Sequence, residues 1–106
     1  MNLKVGGIYT SDKLGKQGRV AIIIINKNDN YISYYMLKIL ADFTKNDIEK
    51  IIEDQIRFNK LKIENFNSTT AHFLSFKIDG YMGQVSDNIL FDSVMILLSV
   101  LHFNKY

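Results

Sequence analysis

Arg19 is the side chain best placed for chemistry, because it closes a basic loop that carries two glycines. Thr10 to Gly18 reads TSDKLGKQG and holds Lys13 and Lys16. Cations on such a loop can cradle a phosphate, but the Lys-Ser/Thr ending of a Walker loop is missing. The same stretch also reads as a solvated hairpin loop. Cleaving a phosphodiester without a metal needs a base, an acid and charge stabilisation within reach of one phosphate. Arg19 supplies only the charge. His72, one of two histidines with His102, sits in an apolar strand pattern and reads equally as a hydrogen-bonded structural residue. A second kind of chemistry is offered by Tyr31 and Tyr35, which share a strand face with Ser33. Exposed tyrosines suit a protein interface or base stacking; a later segment that covers them makes them core. Glu53 and Asp54 are adjacent and point about 100° apart on a helix, so they form no carboxylate dyad. With no cysteine and no clustered His/Asp/Glu spacing, neither a metal site nor a cofactor is expected.

The element that must position these groups runs from Gly18 to Leu40. An apolar β-branched run, GRVAIIII, is followed by NKNDN and then by YISYYMLKIL. Valine and four isoleucines between turn residues predict a strand buried on both faces. The Asn26–Asn30 connection folds the second run back as a hairpin. In that second arm Ile32, Tyr34 and Met36 are the expected core set. Ahead of the hairpin, Leu3 to Tyr9 reads as a short strand whose Gly6-Gly7 pair suggests a bulge or a close backbone approach.

After the hairpin, Asp47 to about Leu61 is expected to be a helix. Asn46 and Glu49 have capping-box spacing, and Ile48, Ile51, Ile52 and Ile56 follow the 3.6 period. Lys62 to Ser68 reads as an extended connection. Thr69 to Asp79 reads as a strand with His72, Leu74, Phe76 and Ile78 on one face. Asp79-Gly80 is a turn and Tyr81 to Val85 a brief strand. Ser86 is a good N-cap for a last helix, Asp87 to about Phe103. That helix is apolar nearly all round, with Leu90, Val94, Leu97, Leu98 and Leu101 in one stripe, widened by Ile89, Met95, Ile96 and Val100. One small chain has difficulty covering every face of such a helix, so a homodimer through it is expected.

The chain of 106 residues is read as a single domain, 1–106, with 47% hydrophobic residues and a net charge of +2. That charge is too small to argue for nucleic acid by itself. The absence of cysteine fits a reducing, cytoplasmic setting. The N-terminus, MNLKVGGIY, has no signal-peptide core, and no apolar run reaches the ~20 residues of a membrane span.

The two ends share a pattern with a known family. VGGIY, a basic loop and GRVAIIII resemble the opening of MazF/PemK-type toxin domains. YMGQVSDNILFDSVMILLSVL resembles their closing turn and C-terminal helix. The resemblance covers roughly residues 5–25 and 81–101. It implies a small open β-barrel of the Src-homology type, a dimer, and RNA cleavage. Arg19 falls where the family places its active arginine, followed here by Val20 instead of the usual proline. Gly7 stands where the opening strand usually carries an acid, and Ser33 is the nearest match to the family's Ser/Thr.

The expected fold is therefore α+β: a strongly bent antiparallel sheet or small open barrel, one inserted helix and one C-terminal helix. The expected function is a non-enzymatic binding module acting on a protein partner, such as an inhibitor or accessory protein of a phage or other mobile element. Its candidate binding residues are Lys13, Lys16, Arg19, Tyr31 and Tyr35. The alternatives are a toxin-like endoribonuclease using Arg19, Ser33 and His72, and a nucleic-acid binder without catalysis.

Overall fold

The computed structural model describes residues 3–12, 19–40, 42–62, 65–70 and 78–103, with 69–70 and 99–103 described as backbone only. The elements in chain order are β1 (Gly7–Ser11), β2 (Arg19–Lys27), β3 (Tyr31–Ile39), α1 (Lys45–Arg57), β4 (Phe66–Thr70), β5 (Gly80–Gln84) and α2 (Asp87–Phe103). The five strands form one antiparallel sheet in the order β4-β3-β2-β1-β5. Its two edge strands, β4 and β5, do not pair with each other, so the sheet stays open.

β2 is the middle strand, as its composition predicts, and every residue from Val20 to Ile25 is buried. Its alternate side chains feed two clusters. Ala21, Ile23 and Ile25 join Ile8, Tyr35, Leu37 and Ile39 on the face covered by both helices. Val20, Ile22 and Ile24 join Leu3, Tyr9, Ile32 and Tyr34 on the other face. The hairpin turn is held by the Asn28 side chain, which accepts hydrogen bonds from the backbone N–H groups of Asn30 (2.8 Å) and Tyr31 (2.7 Å). This is the Asx geometry that favours asparagine in turns.

Gly6 and Gly7 do mark a close backbone approach. Gly6 has φ +82 and its N–H donates to the Ile24 carbonyl at 2.7 Å. A Cβ there would lie 2.7 Å from the Gln84 side chain. The turn at this point starts β1 later than expected, at Gly7, and leaves Leu3 buried outside the strand. A bulge interrupts the β1–β5 register between Gly7 and Tyr9, opposite Gly83 with φ +105.

α1 begins and ends earlier than its sequence suggests. Its cap is Thr44 rather than Asn46: Thr44 Oγ1 accepts from Asp47 N–H, and the Asp47 carboxylate accepts from Thr44 N–H at 2.8 Å. The reciprocal box thus uses an aspartate at its third helical position. At the other end Asn59 takes a left-handed conformation (φ 54), and Lys60 N–H donates to the Gln55 carbonyl. This terminating turn replaces the last expected turn of helix and returns Leu61 to the core. α2 has the expected bounds, and Ser86 Oγ accepts from Ile89 N–H at 3.4 Å.

The expected extended link at Lys62 to Ser68 instead contains the start of β4. The strand face assigned to His72, Leu74 and Phe76 lies outside the described residues. Met36 is half exposed, whereas Ile32 and Tyr34 are core as expected. No helix among the described residues is long and apolar enough to cross a membrane.

Candidate functional site

Arg19 opens β2, and the ends of two other strands converge on it. Its Nη1 donates to Asp12 Oδ1 at 2.6 Å and to Asp79 Oδ2 at 3.1 Å, and its Nη2 donates to Asp79 Oδ1 at 2.9 Å. Asp79 also accepts from Thr10 Oγ1 at 2.7 Å, while its own N–H donates to the Thr10 carbonyl. The forked pairing with Asp79 is the geometry in which arginine binds a carboxylate most specifically. Hydrogen bonds from Arg19 first, and then from Thr10, hold the Asp79 carboxyl below its ordinary range. The same hydrogen bonds to Asp79 raise the Arg19 guanidinium further.

This cluster ties the end of β1, the start of β2 and the entry to β5. Both terminal nitrogens of Arg19 already face carboxylates, so a phosphate would have to displace one of them. Ser33 is not part of the cluster. It pairs with Asn26 at the opposite end of the hairpin, roughly 20 Å along the strand at about 3.3 Å per residue. There its Oγ lies 3.1 Å from Ser68 Oγ. His72, Lys13 and Lys16 lie outside the described residues. Among those that are described, no group of three or more His, Asp or Glu side chains gathers as metal ligands would.

The expected tyrosine surface does not form. Tyr31 is 53% exposed, but Tyr35 is 1% exposed. Tyr35 is covered by the helix layer and meets Phe66 edge-on at 5.4 Å. Burial pushes its phenol above the ordinary range, opposed in part by the Ser93 hydroxyl of α2. Neither of these two buried hydroxyls completes a hydrogen bond. Tyr35 is therefore part of the core and cannot meet a partner. The two residues share a strand face, but the helices cover only one end of it.

Among the described residues, three exposed apolar side chains fall together on α2. Among its described side chains Ile89, Ser93 and Leu97 are buried, and Leu90, Val94 and Ile96 are half-buried beside them. Opposite them Phe91 is 64% exposed, Met95 50% and Leu98 47%. These three are spaced i, i+4, i+7 and line up on one side of the helix. Ile89 and Ile96, which widen the apolar stripe read from the sequence, pack against the core, whereas Leu98 of the stripe itself is exposed. A shallow cleft of about 370 Å³ lies beside α1, with Phe43 and Ile51 among its walls and Asp42, Asp47 and Asp54 around it.

Sequence reasoning missed Asp12 and Asp79 as partners of Arg19, and Phe91 as an exposed aromatic on α2. Asp12 could have been suspected from its place in the same loop. Asp79 is 60 residues from Arg19 and reads locally as half of an Asp-Gly turn. No family model, curated protein or solved structure matches this chain.

Proposed function

We propose that this chain is a small non-enzymatic binding module that acts on a protein partner through the outer face of α2. One observation carries this reading: Phe91, Met95 and Leu98 form an exposed apolar line along a well-packed helix. Anchors at i, i+4 and i+7 are the pattern by which a helix enters an apolar groove. Large aromatic and flexible apolar side chains are also enriched at interface centres. The pairing of Arg19 with two carboxylates supports the same reading, because it leaves the guanidinium's charge compensated and the group distant from Ser33.

The test places a photo-crosslinking amino acid at position 91 in the source cells, with position 50 on the exposed side of α1 as control. A discrete protein adduct from position 91 and none from position 50 is the expected result. No adduct at 91 overturns the reading. RNA cleavage by the purified chain that is lost in Arg19→Ala overturns it in favour of a toxin-like endoribonuclease.

A further inference from the structure

We propose that the cleft beside α1 binds an aliphatic polyamine. Its methylene stem would lie on Phe43 and Ile51, with one ammonium group at Asp42 and Asp47 and another at Asp54. The site is on a different helix from the α2 face and independent of it, and a small amine there leaves no protein adduct at position 50. The cleft has Phe43 and Ile51 in its walls and Asp42, Asp47, Lys50 and Asp54 at its rim. Three carboxylates thus stand against one ammonium, on a chain whose net charge is +2. The local charge is opposite in sign to that of the whole molecule, and it selects a cation. The apolar walls select a cation with a hydrocarbon body, and the Phe43 ring adds attraction for ammonium groups.

α1 sets the spacing. Asp47, Ile51 and Asp54 stand at i, i+4 and i+7, so one side of the helix reads acid, apolar, acid. Asp42, two residues before the Thr44 cap, adds a carboxylate at the Asp47 end. The two ends are two turns apart, a rise of about 10 Å. A divalent metal ion holds its oxygen ligands at about 2–2.6 Å and cannot bridge that span. Two ammonium groups joined by methylenes can.

The carboxylates at the two ends are open to such a ligand. Asp47 accepts both of its hydrogen bonds from Thr44 through Oδ2, which leaves Oδ1 facing the cleft's solvent. Among the described residues the side chains of Asp42 and Asp54 make no hydrogen bond or ion pair. At about 370 Å³ the cleft is at the small end of ligand pockets, which suits one short chain molecule.

The test is a nuclear magnetic resonance titration of the labelled full chain with spermidine at constant ionic strength. Saturable shifts are expected at the amides of Phe43 and of Asp47 to Asp54, with half-saturation at roughly 1 mM, as for a ligand of about ten heavy atoms. Asp42→Asn and Asp54→Asn, both at exposed positions, should each weaken binding about threefold, the worth of one exposed ion pair. Lys50→Gln should tighten it by about the same factor, because it removes the like charge. An eight-carbon terminal diamine should bind more tightly than a three-carbon one, which has equal charge but cannot reach both ends. Equal shifts from magnesium chloride would reduce the effect to screening of acids and overturn the proposal. Binding unchanged by Asp54→Asn and Lys50→Gln, or equal for the two diamines, overturns it as well. Lysyl-lysine amide carries the same charge as spermidine, and tighter binding of that peptide would replace the polyamine with a basic protein segment.

Discussion

The two helices pack on the same face of the sheet, yet they meet water in opposite ways. α1 buries Ile48 and Ile52, half-buries Ile51 and Ile56, and turns Asp47, Lys50, Glu53, Asp54 and Arg57 outward. α2 buries a serine, Ser93, and turns Phe91, Met95 and Leu98 outward. α1 is thus a helix completed by its own chain, whereas α2 carries more apolar surface than the sheet can cover. The two are coupled at one end, where Glu49 of α1 accepts from the N–H of Ser86, the residue before α2, and pairs with Lys45 at 3.5 Å. The contrast teaches that hydrophobicity of the side chains did not decide which side of α2 is buried. The surplus apolar face is what separates α2 from α1.

The largest effects should separate the two sides of α2. Ile52→Asp in α1 and Ile89→Asp in α2 each place a carboxylate at a position less than 3% exposed, and both should abolish folding. Phe91→Asp, at low protein concentration, should change stability by no more than about 0.5 kcal/mol, as expected for a surface site. Denaturant unfolding followed by circular dichroism decides this. A Phe91→Asp variant as damaged as Ile89→Asp would mean that the chain itself buries α2's outer face, and the contrast would collapse.

The caps sharpen the same comparison at a smaller scale. α1 is closed by a complete reciprocal box, so Thr44→Ala should cost about 1 kcal/mol. Ser86→Ala should cost less, because its bond to Ile89 N–H is long at 3.4 Å. Equal losses in urea titrations would show that the two helices are equally dependent on their caps.

Acid should act on α1 and on the Arg19 cluster together. Hydrogen bonds from Thr44 backbone, then side chain, lower the Asp47 pKa, and those from Arg19 lower that of Asp79. A carboxyl whose folded pKa lies below its unfolded value of about 3.9 stabilises the fold above that pH. The contribution disappears as pH falls through the lower, folded value. The denaturation midpoint should therefore hold steady down to about pH 4 and then fall. Asp47→Asn should flatten that fall, by a modest amount because the group is exposed and screened. An acid limb unchanged in both Asp47→Asn and Asp79→Asn would contradict these assignments.

The smallest effect is expected where α2 meets the sheet. Tyr35 Oη and Ser93 Oγ are buried without a completed hydrogen bond. Removing both groups should be nearly neutral or slightly stabilising, since no unsatisfied partner is left behind. A Tyr35→Phe, Ser93→Ala double-mutant cycle should give a coupling under about 0.5 kcal/mol. A larger coupling would mean that the two hydroxyls form a true bond in solution.

Some features of this protein are decided by residues close together in the chain, and those were legible without any structure. The run from Val20 to Ile25, bounded by turn residues, reads as a strand buried on both faces, Asn28 and its neighbours make the hairpin turn, and Gly6-Gly7 marks a bulge or a close approach. The isoleucine period of α1 and the bounds of α2 belong to the same group. Each rests on periodicity, turn chemistry or backbone freedom within a few residues. The Thr44 box shows where such reading slips, since Asn46–Glu49 offers the same local spacing and only the backbone path chooses between them.

Tertiary structure alone decided the rest. Arg19 meets Asp79 across 60 residues of chain, and no local pattern records that distance. Tyr35 and Tyr31 share a strand face, but the helix layer ends between them and makes one core and the other surface. α2 is the clearest case. A helix apolar nearly all round has no periodic signal to tell which side faces the sheet, so its rotation was set by fit. Small Ser93 lies against Tyr35, and Phe91 is left in water.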